Sequence, residues 1–347
     1  MTGSADSVLL RTEGRAAYLT LNRPKALNAL THAMVRSIDE ALTAWEEDPA
    51  VETVVLTGAG ERGLCAGGDI RAIYEDALAG GGTSPAFWRD EYRLNARIAR
   101  YPKPYVAVMD GIVMGGGVGV SAHGGCRIVT ERSRIAMPET GIGFAPDVGG
   151  TYLLSRAPGE LGTHLALTGT PVGAADALLC GLADHFVPTR RLPELLERLA
   201  ASPLPEALTG LVEPAPEGRL DGAREWIDHC YAAPTVAEIV ERLLASGVPA
   251  AKEAAATLQG RAPTALKVTL RAVRQARGME TLEAALRQDY RTSCAALSTP
   301  DLAEGIRAQV IDKDRQPRWS PATLAEVTDE HVERYFAPLG EHELRLP

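Results

Sequence analysis

Along the first half of the chain the hydrophobic positions switch repeatedly between a period of two and a period of 3.6, the signature of strands alternating with helices. Val8 to Leu21 reads as a hairpin: VLLRT, a turn at Glu13-Gly14, then AAYLTLN with alternating faces. Thr31 is placed to cap a helix running to Trp45, in which Met34, Val35, Ile38, Leu42 and Trp45 fall on one stripe. VETVVLT (Val51–Thr57) is a buried strand that stops at Gly58-Ala59-Gly60. Helices follow over Asp69–Leu78 and Pro85–Ala99, then a second buried strand, PYVAVM (Pro104–Met109). The glycine cluster Gly115–Gly119 opens a helix of small residues. Arg127–Thr130 and Arg134–Met137 read as short strands, and helices are predicted near Val148–Leu154, Leu161–Leu167 and Ala174–Leu179 before a strand at Asp184–Val187.

The pattern changes after about residue 200. Pro203, Pro205, Pro214 and Pro216, with Gly210 and Gly218, predict a surface connection. Beyond it the apolar spacing is helical throughout. Thr235 with Glu238 predicts a capping box before Ile239, Val240, Leu243 and Leu244. Further helices read at about 250–260, 264–276, 280–297 and 300–311, and the Pro-rich tail from Asp312 onward is expected to wrap the surface. The fold class is therefore α/β, with a core in residues 1–200 and a helical region in 201–347 that covers it.

Composition bounds the function. The 347 residues, 45% of them hydrophobic, suffice for about two domains, or for one large domain with an appendage. No apolar run approaches the ~18 residues of a membrane span. Met1 to Ser7 carries no basic stretch followed by an apolar one, so no secretory signal is expected and the cytoplasm is the expected location. A net charge of −9, from 36 basic and 45 acidic residues, argues against nucleic acid as a partner. It leaves room for a small anionic ligand beside a few local cations. Cys65, Cys126, Cys180, Cys230 and Cys294 are scattered, odd in number and form no CxxC pair, which predicts reduced buried thiols. The seven histidines are dispersed too, so no metal is expected.

Three stretches could carry chemistry. Gly63-Leu64-Cys65-Ala66-Gly67-Gly68-Asp69-Ile70 lies between a strand and a helix. Its glycines permit close backbone approach, and free N–H groups at a helix start suit a carbonyl oxygen or an anion; the plainer reading is a tight turn. Met109 to Ala122 again joins strand to helix through three successive glycines, Gly115 to Gly117. They mark either close approach by a ligand or tight helix-to-sheet packing. Gly117 to Ala122 also fits GxGxxA on paper. That dinucleotide fingerprint needs its first glycine at the strand end and an acid about 20 residues on. Here the strand ends at Met109, and the nearest candidate acid, Glu131, comes too soon. In the third stretch, Ala136 to Gly150, Glu139 and Asp147 stand eight residues apart among apolar residues and glycines. Buried carboxylates are costly unless paired or functional, and burial can raise a carboxyl toward the range useful for proton transfer. Otherwise Glu139 would be a salt-bridge partner and Asp147 a helix cap.

Taken together these stretches resemble the crotonase (enoyl-CoA hydratase/isomerase) superfamily, and within it the 3-hydroxyisobutyryl-CoA hydrolase branch. The resemblance rests on LNRPKALNAL (Leu21–Leu30), CAGGDI (Cys65–Ile70), FWRDEYRLN (Phe87–Asn95), MGGGVGVSAHG (Met114–Gly124), AMPETGIG with PDVGG (Ala136–Gly150) and ALTG (Ala166–Gly169). APTALKVT (Ala262–Thr269) and EGIRAQVIDKDRQPRW (Glu304–Trp319) extend it to the hydrolase branch, so that it spans about 8 to 322. It implies a ββα spiral core and an acyl-CoA substrate, with no cofactor beyond the CoA of that substrate, and it leaves a homo-oligomer open. Matching motifs imply that the N–H groups of Gly68 and Gly116 form an oxyanion hole and that Glu139 and Asp147 are the catalytic acids. Glu91 matches a substrate-contacting acid. The turn holding Ala66, Asp69 and Ile70 matches the adenine-binding turn, and Arg23 and Lys25 are the expected cations near CoA. Two departures matter. Family hydratases carry a catalytic Glu two residues after the glycine triplet, where this chain has Gly119. The branch usually has an aromatic residue before the Pro-Asp pair, where this chain has Ala145 after Phe144. The first favours hydrolysis over hydration. The second bears on the acyl group: methyl-branched C4 3-hydroxyacyl is favoured, 3-hydroxypropionyl is second.

Overall fold

In the computed structural model, which describes residues 6–346, the predicted hairpin is β1 (Val8–Glu13) against β2 (Ala16–Leu21), turned at Gly14. β3 (Thr53–Gly58), β5 (Tyr105–Met109), β7 (Cys126–Val129) and the two-residue β9 (His185–Phe186) add to it in parallel, giving the order β1-β2-β3-β5-β7-β9. The central strands are apolar on both faces and almost wholly buried, as parallel strands covered on both sides must be. β1 is the open edge, and five of its six residues are exposed.

A second sheet, β4 (Gly63–Cys65), β6 (Ile112–Met114) and β8 (Arg134–Ala136), runs in that order. Only β8 was expected. At three residues each, β4 and β6 are too short to show a period and sit inside the glycine-rich turns.

By packing, the described residues divide into two units, each assembled from separate stretches. The first contains residues up to Gly68, Arg93–Ile135 and Val172–Gly218; the second contains Asp69–Tyr92, Ala136–Pro171 and residues from Arg219 on. The expected split near residue 200 follows secondary-structure content, whereas packing follows these other lines.

In the first unit both sheets are formed. The helix His32–Glu47 starts at Thr31, whose side chain accepts from the Met34 N–H at 3.3 Å, and it buries the predicted stripe. The connection expected after residue 200 is more ordered than its prolines suggested. A helix, Leu192–Ala201, precedes it, and a short one, Leu204–Leu208, lies within it. Leu195, Leu199, Ala207 and Leu211 are fully buried against Tyr18, Val55, Val106 and Ile128 of the large sheet. Their helical spacing was present in the sequence behind the prolines.

In the second unit almost everything is helical. Pro263–Ala276 and Leu282–Leu297 are its long helices, the latter capped by Thr281. Thr235 caps Val236–Ala245 by accepting from Glu238 N–H, but the Glu238 side chain bonds the Thr235 hydroxyl and does not return to the backbone. The reciprocal box forms instead at Thr323 and Glu326, in the tail. The helix predicted to 311 is α-helical only over Pro300–Ile306. It continues as a π-turn, Arg307–Ile311, where Arg307 gathers Glu304, Asp312 and Asp314. Among the described residues no helix is long and apolar enough to cross a membrane.

Candidate active site

Two constellations result, one in each unit. In the first, the glycine turns come together. The Gly67 backbone takes φ +116°, closed to side-chain-bearing residues, and a Cβ there would lie 3.3 Å from the Met114 oxygen and 3.7 Å from the Gly116 nitrogen. The Gly67 carbonyl accepts from Leu30 N–H at 2.8 Å, and Gly68 forms a bridge to Leu30. Gly116 is the first residue of the helix Gly116–Ser121, where N–H groups have no acceptor within the helix. Asn28 pegs the surrounding loops: its amide donates to Ala59 and Gly63 carbonyls at 3.0 and 3.1 Å, and its oxygen accepts from Arg23 N–H. Of the two expected cations, Arg23 turns one guanidinium nitrogen onto the Ala29 carbonyl at 2.7 Å, and Lys25 is exposed. Ala66 N–H donates to Leu27 O at 3.0 Å in the same turn.

In the second unit, Asp69 ends that turn and stands just before the helix Ile70–Leu78. The acids follow. Glu139 opens a short 3-10 turn, Glu139–Ile142, that follows β8. Gly305 of the helix Pro300–Ile306 packs on Ile142 so closely that no side chain fits between them. Asp147 is not the cap the sequence suggested. Val148 and Gly149 both take positive φ, 52° and 77°, so the next helix begins only at Gly150. A β-branched residue in that conformation is strained, and such strain persists only where the surroundings enforce it. The enforcing group is Asp289 of the helix Leu282–Leu297, which accepts from Gly149 N–H at 2.9 Å and from the Thr151 hydroxyl at 2.7 Å.

Glu91, Glu139 and Asp147 are all buried, at 2%, 6% and 6% exposure, so that none of the three carboxyls is bathed in water. Burial, then the charge of Asp147, holds Glu139 and Glu91 well above the ordinary carboxyl range. Burial lifts Asp147 to about 7, against the pull of a 2.7 Å hydrogen bond from the Tyr92 hydroxyl. Among the described residues, Glu91 Oε1 and Glu139 Oε2 are buried without a hydrogen-bond partner. Orphaned oxygens of this kind cost stability, and groups that a substrate will meet are where such a cost is tolerated. Trp88 and Phe144 stack beside them with centroids 5.6 Å apart, and Ala145 is buried next in the chain. Among the described residues no group of three or more His, Cys, Asp or Glu side chains is arranged to hold a metal ion.

The Glu139–Asp147 pair was legible in the sequence, whereas Tyr92, Asp289 and Ser293 were missed. A signal existed: Gln288, Asp289, Thr292 and Ser293 are polar residues at buried spacing on one helix.

The raised Asp147 carboxyl has a stability consequence. Between the ordinary value of 3.8 and about 7 the unfolded chain sheds the proton that the folded chain keeps, so stability falls as pH rises through that window and is flat above it. Asp147→Asn removes the ionisation while keeping an acceptor for Tyr92. Its melting temperature is therefore expected to exceed that of the parent at pH 8, on the order of a few kcal/mol in stability, with the gap closing toward pH 4. Thermal melts across that range check this, and a pH-independent gap would contradict it.

Comparison with known proteins extends these observations. A family model described as enoyl-CoA hydratase/isomerase matches residues 16–336. A curated relative from Gallus gallus, named mitochondrial 3-hydroxyisobutyryl-CoA hydrolase, is 44% identical over 356 residues, covering 99% of this chain and 92% of its own. Its namesake from Homo sapiens is 43% identical over 356 residues, with 99% and 92% covered. Among solved structures, a carnitinyl-CoA dehydratase from Mycobacterium thermoresistibile gives a TM-score of 0.95 at 56% identity, covering 98% of this chain and 99% of that one. An enoyl-CoA hydratase from Rhodobacter sphaeroides 2.4.1 gives 0.93 at 46%, covering 98% and 100%.

Proposed function

Because the chain belongs to the enoyl-CoA hydratase/isomerase family, with the crotonase fold, we propose that it hydrolyses a short 3-hydroxyacyl-CoA thioester, 3-hydroxyisobutyryl-CoA foremost, to the free acid and CoA. The observation that carries this reading is the acid inventory. Gly119 stands where a hydratase needs its first glutamate, and Glu139 and Asp147 are both buried acids. The names of the curated relatives point the same way.

In this mechanism the N–H groups of Gly68 and Gly116 take the thioester oxygen as it gains charge. Removing one donor of such a pair typically costs about 10²–10³ in kcat. Glu139 then attacks the carbonyl carbon, CoA leaves as thiolate, and water hydrolyses the resulting anhydride. In the alternative, Asp147 or Glu139 takes a proton from water, which attacks directly. A single turnover in oxygen-18 water separates the two: label entering a protein carboxylate excludes direct attack. Glu91, Ala66, Asp69, Ile70, Arg23 and Lys25 bind the acyl-CoA. The acyl group belongs to valine breakdown, and the protein works in the cytoplasm. Five cysteines, four of them buried and none in a disulfide, suit that reducing setting.

A second reading is hydration or dehydration of an enoyl-CoA, favoured by the names of the two solved structures. One experiment decides. With 3-hydroxyisobutyryl-CoA, a thiol reagent is expected to register stoichiometric CoA release. Loss or gain of enoyl-CoA absorbance without free thiol would replace hydrolysis by the second reading.

A further inference from the structure

We propose that Tyr92 and Ser293 are positioning residues for this hydrolysis, forming a hydroxyl relay from Ser293 through Tyr92 to Asp147 that makes Asp147 the first of the substrate-facing acids to ionise. The proposal rests on the hydrolytic reading above.

The geometry fixes the direction of the relay. The Tyr92 oxygen lies 2.7 Å from Asp147 Oδ2 and 2.8 Å from Ser293 Oγ, and all three residues are buried. A phenol carries one proton, and an ionised carboxyl only accepts. The Tyr92 proton therefore goes to Asp147, which obliges Ser293 to donate to Tyr92. Donors in series polarise one another, so the Ser293 bond strengthens the one at the carboxylate. A donor aimed at the ionised form favours ionisation.

The groups around Asp147 make this bond decisive. The charge of Asp147 bears on Glu91 and Glu139, and each of these keeps a buried oxygen to which no described residue donates. Asp289 also faces Asp147, but its two oxygens are committed to Gly149 N–H and the Thr151 hydroxyl. Arg89, one turn before Tyr92, donates to the Tyr290 hydroxyl at 2.7 Å, and the Tyr290 ring stands edge-on to Tyr92 at 6.2 Å. Of Glu91, Glu139 and Asp147, only Asp147 has a side-chain hydroxyl donating to it. The relay thus separates the roles of acids that burial alone would leave equivalent: Asp147 is the one whose ionised form a hydroxyl holds.

The test uses the full-length parent, Tyr92→Phe and Ser293→Ala, with two readouts. The first is the pH dependence of kcat/KM for thiol release between pH 5 and 9. The second is the titration of the Asp147 carboxyl by carbon-13 NMR, assigned by difference from Asp147→Asn. Tyr92→Phe is expected to move both the acid limb and the titration upward by about one pH unit, a roughly tenfold loss of kcat/KM below the limb and a smaller one above it. Ser293→Ala is expected to move them the same way by less. An Asp147 titration unmoved in Tyr92→Phe overturns the relay, as does a loss of turnover uniform across pH. If Tyr92→Phe does not fold, Ser293→Ala decides by the same shift. The NMR readout needs no substrate, so absence of thiol release from the parent would defeat the hydrolytic reading while the relay is still judged on the titration.

Discussion

Glu139→Gln is expected to lower kcat for thiol release by about three orders of magnitude, within the range spanned by loss of a general acid or base. The change is nearly isosteric, so packing in the 3-10 turn is kept. What disappears is the capacity to take or give a proton, or to attack carbon. The Glu139 carboxyl is buried, is held high by burial and the neighbouring Asp147 charge, and leaves Oε2 without a partner among the described residues. An acid whose folded-state value is raised is most stabilising below its unfolded value and loses that contribution as pH rises. Glutamine, neutral throughout, should therefore leave the melting temperature at pH 8 equal to that of the parent or higher. Lost turnover with retained stability separates a chemical role from a packing role. CoA binding, followed by calorimetry, should be little changed. Near-normal turnover would eliminate Glu139 both as nucleophile and as base, and would leave only Asp147 to activate water.

The second large effect is expected at Gly117. A Cβ there would collide with the carbonyl oxygen of Cys65 and stand 2.9 Å from the Cys65 Cβ. Both obstacles are main chain or anchored to it, inside the small sheet, so a side chain can be accommodated only by separating β4 from the helix start. Gly117→Val should cost about 1–3 kcal/mol or more of stability, as overpacking does. It should also depress kcat, since the displaced segments carry Gly68 and Gly116, whose amides are proposed to hold the thioester oxygen. Gly125→Ala is the control: it is exposed and nothing lies within 4 Å of its added Cβ. That variant should melt within about 0.5 kcal/mol of the parent. Equal behaviour of the two variants would remove the close approach as the reason for the glycine triplet.

How much of this was legible beforehand depended on the range of the interaction. The parallel strands declared themselves through runs such as TVVLT and YVAVM, because strands buried on both faces are apolar throughout. The glycine turns and the Glu139–Asp147 pair were legible because each is a local pattern. The end of the Val148 helix was misread: a caps-and-spacing argument sees an acid before small residues, but not that Val148 is forced to positive φ. What forces it is Asp289, whose carboxyl meets Gly149 across 140 residues of sequence. Ser293 reaches Tyr92 across 201. No local period encodes such pairs. The nearest hint was a buried polar face on an otherwise amphipathic helix, which is a conflict between burial and chemistry rather than a motif.

The clamp that Asp289 places on Gly149 and Thr151 also sets a timetable for synthesis. Asp147 leaves the ribosome well before the carboxylate that pins its neighbouring peptide, which follows Gly149 by 140 residues, and the serine behind Tyr92 follows that tyrosine by 201. A nascent chain halted before residue 289 therefore carries Asp147 without the carboxylate that braces the peptide beside it.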